Sequence, residues 1–140
     1  MAIYGGFKIT TAKNQLPLEI TVKQIDVDEK TLKAINERLV LVYTGLTRLA
    51  KDLLINVLRS WYSISSDIYD NVKGLVVNGN ACCRAIETGD LDELGKCISL
   101  HRKQKLVMAP GSEPDSVQKI FSILEPYASG NFLSLSPLSS

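Results

Sequence analysis

Apolar and polar residues alternate through the first part of the chain. Residues 7–12 (FKITTA) and 18–27 (LEITVKQIDV) change side at each step, and Ile20, Val22 and Ile25 roughly keep one face. Such a period of two predicts two strands, with a turn over residues 14–17 between them. Asp28 stands as the N-cap of a short helix to about Arg38, on which Leu32 and Ile35 are spaced to face a core. Residues 39–43 (LVLVY) are wholly apolar and predict a central strand, ended by Gly45.

The period then becomes helical. Leu46, Leu49, Ala50, Leu53, Leu54, Val57, Leu58 and Trp61 recur on one face, while Arg48, Lys51, Asp52 and Arg59 fall toward solvent. A second helix, over about residues 67–87, turns Ile68, Val72, Leu75, Val76, Cys83 and Ile86 inward. Its Gly74 and Gly79 weaken it and predict close packing against another helix. Thr88 and Gly89 stop it, and the spacing of Asp90 and Glu93 is that of a capping box opening a third helix to about Val107. MAPGSEP is a loop. Ser112 and Asp115, with Pro114 in the first turn, predict a fourth helix ending near Pro126. The pattern gives one α+β domain over residues 1–130. Residues 131–140, with serine and proline where a final strand would continue, are expected to fray.

Composition narrows the function classes. A hydrophobic fraction of 45%, with 16 basic against 15 acidic residues, argues against a polyanion-binding surface over the whole molecule, so no nucleic acid is expected. No apolar run approaches the ~20 residues that span a bilayer, and the opening MAIYGGFKI has no secretory pattern. Three cysteines, an odd number, fit a reducing compartment. The expectation is a cytoplasmic protein, not membrane-bound.

The strongest chemical candidate is the strand-to-helix turn Thr44, Gly45, Leu46, Thr47 and Arg48. Free N–H groups and the positive dipole end of a helix favour an anion or a sugar hydroxyl there, and Arg48 can fork onto phosphate. The structural alternative is a glycine turn with a threonine cap and an exposed arginine. Gly5 and Gly6 after Tyr4 offer either close approach to a ligand or a bulge entering a strand. Cys97 and His101, one helical turn apart, are half of a metal site, but Cys82 and Cys83 point about 100° apart on a helix and complete none, so no metal is expected. His101 has no partners placed for a triad. The basic run of residues 101–105 is expected to be a solvated helix end.

With these pieces in order, the chain resembles the C-terminal part of L-fucose kinases, in the GHMP kinase superfamily. The residues that carry the resemblance are IYGGFKI at 3–9, LPL at 16–18, LVYTGLTRLAKDLL at 41–54, VLRSWY at 57–62 and KLVMAPGSEP at 105–114. It implies a GHMP-kinase C-terminal-like fold, with N-terminal antiparallel strands, then a four-helix layer, incomplete at both ends. It also implies ATP-dependent phosphorylation of the anomeric hydroxyl of L-fucose, with ATP and magnesium as cofactors of the intact enzyme and none bound tightly here. The family's PxxxGLGSSA-type loop and GGxQDQ acidic segment would precede residue 3, and its GAGGGG-type loop would follow Gly130, where this chain has NFLSLSPLSS. No residue is therefore carried over as catalytic. Tyr4, Gly5, Gly6, Thr44, Gly45, Thr47 and Arg48 are left as the substrate-facing group.

Three functions follow in order. The first is a part of a fucokinase-like enzyme, inactive alone; the second is a stand-alone helical interaction module; the third is an intact minimal kinase. Self-association, or pairing with a complementary kinase piece, is expected through the N-terminal strands and residues 39–43, leaving the face of Lys51 and Arg59 free.

Overall fold

The computed structural model describes residues 5–44, 55, 57–59, 61–62 and 66–131. It is α+β, a two-stranded antiparallel sheet followed by helices. Strands β1 (Lys8–Ala12) and β2 (Ile20–Gln24) pair with Lys8 opposite Gln24 and Ala12 opposite Ile20. That register puts Thr10, Ala12, Ile20 and Val22 on one face, as the alternating sequence requires. At the turn, Lys13 Nζ and Gln15 Nε2 both donate to the Glu19 carboxylate, at 2.8 and 3.0 Å.

Helix α1 (Glu29–Arg38) starts where the cap predicts, with Asp28 Oδ1 accepting the Thr31 N–H at 2.6 Å. Hydrogen bonding from the Thr31 side chain, together with that N–H, holds the Asp28 carboxyl below its ordinary range. Helices α2 (Ser66–Thr88) and α3 (Leu91–Met108) form an antiparallel hairpin. Gly89 joins them at φ +70°, and a Cβ there would come 2.6 Å from Thr31 Oγ1, so α1 lies against the turn. Asp90 caps α3 by accepting the Glu93 N–H at 2.9 Å. The Glu93 side chain does not reach back to complete the box; it takes Lys96 at 3.2 Å instead.

A polar seam sets the register of α2 on α3. Asn71 donates to the Gln104 carbonyl at 3.0 Å, and Asn78 to the Cys97 carbonyl at 2.9 Å and to Gln104 Oε1 at 3.4 Å. Gln104 lies over Gly74, where a Cβ would meet its Nε2 at 2.9 Å. The expected close packing therefore holds at Gly74. It fails at Gly79, which faces open space. Helix α4 (Asp115–Leu124) buries Val117 and Phe121. With Ile25, Ile68, Ala85, Ile86, Cys97 and Ala109 they form the apolar core.

Several sequence expectations are overturned. Residues 39–43 are not a central strand: their backbone pairs with no other strand among the described residues, and all five side chains are exposed. An apolar run reads as a strand in sequence, but a strand also needs a neighbour, and among the described residues the sheet holds two strands, β1 and β2. Val76, expected inside, lies on the outer side of α2 because the Asn71, Gly74 and Asn78 seam turns another face inward. Most of the helix expected over residues 46–61 lies outside the described residues. Ile55, Val57, Leu58, Arg59, Trp61 and Tyr62 are helical, yet Ile55, Leu58, Trp61 and Tyr62 are exposed. The tail expected at residues 131–140 lies, from residue 132, outside the described residues.

Candidate functional site

Of the seven residues expected to face a substrate, Tyr4, Gly45, Thr47 and Arg48 lie outside the described residues. Gly5 and Gly6 are exposed and lead into β1. Gly6 takes φ +84°, and a Cβ there would stand 3.3 Å from the Gln24 amide, while the Gly5 carbonyl accepts from Lys8 Nζ at 2.7 Å. These are the demands of a strand entry. Thr44 is half-buried at the end of the exposed apolar run.

The other segment singled out by sequence, residues 105–114, is described in full. Helix α3 ends at Met108, and the Ala109 N–H donates to the Lys105 carbonyl at 2.8 Å. Gly111 turns the chain at φ +77°. The Ser112 N–H returns to the Ala109 carbonyl at 3.1 Å. Pro114 then stands at the N-cap of α4, and its carbonyl accepts from Val117 and Gln118. Ser112 was expected to open this helix; instead it is fully buried and its Oγ has no partner among the described residues.

Glu113 fastens the corner. Its side chain is 2% exposed and accepts Arg102 Nε and Nη2 at 2.8 Å each, a two-pronged ion pair. The guanidinium, 26% exposed, lies 4.0 Å from the centre of the Phe121 ring. The bond to Glu113 holds Arg102 above its ordinary range against the opposing effect of burial, and Glu125 adds to it. Gln118 Nε2 donates to the Glu113 carbonyl at 3.0 Å, tying α4 to the same residue. A shallow cleft of about 280 Å³ opens beside the pair, between Leu106, Phe121 and Glu125.

This corrects in part the expectation of a solvated basic end over residues 101–105: His101 and Lys103 are exposed, but Gln104 is buried and Arg102 is half-buried in an ion pair. Chemically the cleft has little to offer an anion. The arginine charge is already matched by Glu113, with a second carboxylate on the wall. Residues 102–118 are thus accounted for by what a helix corner needs. The signal that could have revealed the pair was Glu113, an acidic residue just past a glycine turn and facing back along a helix rich in cations.

Of the remaining candidates Cys97 is buried, Cys82 and Cys83 are half-buried and His101 is exposed. Burial raises the Cys97 thiol, as it does Cys82 and Cys83, so none is activated as a thiolate. Burial lowers His101, and Lys105 adds to the shift. Among the described residues, no three His, Cys, Asp or Glu side chains come together as a metal would need. No described helix is long and apolar enough to cross a membrane.

Comparison with known proteins points one way. The chain is 24% identical over 128 residues to the bifunctional fucokinase/GDP-fucose pyrophosphorylase of Arabidopsis thaliana, covering 91% of this chain and 12% of that protein. It is 28% identical over 93 residues to the L-fucokinase/L-fucose-1-P guanylyltransferase of Bacteroides fragilis, covering 64% of this chain and 10% of that protein. The chain thus spans about an eighth or less of the relatives it matches, and the relationship is to a fucokinase-containing protein. No family model and no solved structure matches it.

Proposed function

We propose that this chain is a non-catalytic region of a fucokinase-type sugar kinase of the GHMP superfamily, supplying one wall of the substrate cleft. The parent reaction is ATP-dependent phosphorylation of L-fucose to L-fucose 1-phosphate, with magnesium on the nucleotide. The observation that carries the proposal is the match to the plant bifunctional enzyme along 91% of the chain. On this view Tyr4, Gly5, Gly6, Thr44, Gly45, Thr47 and Arg48 face the sugar, with Arg48 contributing positive charge as phosphate forms. The rest of the chain is scaffold: the α2–α3 hairpin and the Arg102–Glu113 corner hold the shape behind that wall.

The chain acts only with other parts of such a kinase, because phosphoryl transfer needs a loop to hold the nucleotide and a base for the hydroxyl. On this reading those parts, the PxxxGLGSSA-type loop and the GGxQDQ segment of such kinases, lie outside these 140 residues. The purified chain with L-fucose and magnesium ATP is expected to release no ADP above a no-protein control. A chimera of the plant enzyme carrying this chain in place of its matching segment is expected to phosphorylate L-fucose, and Arg48→Ala to slow it. Fucose-dependent ADP release by the chain alone would overturn the non-catalytic assignment; a folded but inactive chimera would overturn the kinase assignment. A second function, an interaction module without catalysis, draws on the exposed apolar residues 39–43, Trp61 and Tyr62.

A further inference from the structure

We draw no further inference here: the strongest candidate, the crossing on α3 where residues 129–130 lie against the Gly95 backbone and Ser99 Oγ donates to the Ser129 carbonyl at 3.3 Å, fastens the chain after α4 to that helix, and nothing among the described residues shows a ligand, a partner or a second position that it would serve.

Discussion

Removing Arg102 and removing Glu113 are expected to cost different amounts, and the inequality follows from where each end of the pair lies. Glu113 is 2% exposed, and its carboxylate takes both prongs of one guanidinium. Replacing Arg102 by Met keeps the aliphatic stem but leaves that carboxylate without its cation, at a cost of ~3–5 kcal/mol. Replacing Glu113 by Gln leaves an amide that still accepts one bond. The guanidinium, 26% exposed and resting on Phe121, retains a route to water, so the cost is ~1–2 kcal/mol. The double variant removes the stranded charge as well as its partner. It should cost ~2–3 kcal/mol, less than the sum of the single changes, for a coupling of about 2–4 kcal/mol. Urea melts followed by helical circular dichroism would measure all four corners; with a slope of ~2 kcal/mol/M, Arg102→Met should lower the midpoint by ~1.5–2.5 M. Single costs that add within ~0.5 kcal/mol, or Arg102→Met costing no more than Glu113→Gln, would refute the assignment of the corner to this ion pair.

Two further outcomes can be checked in the same melts. Gly79 faces open space in the middle of α2, so Gly79→Ala should gain ~0.5–1 kcal/mol. Gly74→Ala should instead lose stability, because its Cβ meets the buried Gln104 that bonds Asn78; equal effects at the two sites would mean the seam is misplaced. Ser112 is fully buried with an unpartnered Oγ, so Ser112→Ala should be neutral or raise stability by up to ~1 kcal/mol. A loss above ~1 kcal/mol would show that the hydroxyl has a partner.

Local chemistry made much of this fold legible in sequence. Alternation gave β1 within a residue and β2 within two or three at each end, because facing Ile20 and Val22 one way needs no knowledge of the partner. Asp28 and Asp90 announced the starts of α1 and α3, since an N-cap bonds an N–H three residues on and needs nothing else. Gly89 marked the α2 stop for the same reason. Of the candidate site, sequence named residues 4–6 and the turn at residues 44–48; the segment at 105–114 it marked only as carrying the resemblance, and the structure shows a helix corner there. It could not show that Arg102 turns inward, because a cation near a helix C-terminus is satisfied equally well by solvent or by a carboxylate eleven residues away. It could not choose between Gly74 and Gly79, which differ only in whether Gln104 of another helix lies above them. Nor could it tell that residues 39–43 would stand unpaired, since apolar character belongs to the strand but hydrogen bonding belongs to its neighbour. What a residue does with its own backbone was fixed locally; what it does with a distant side chain was decided only when the elements packed.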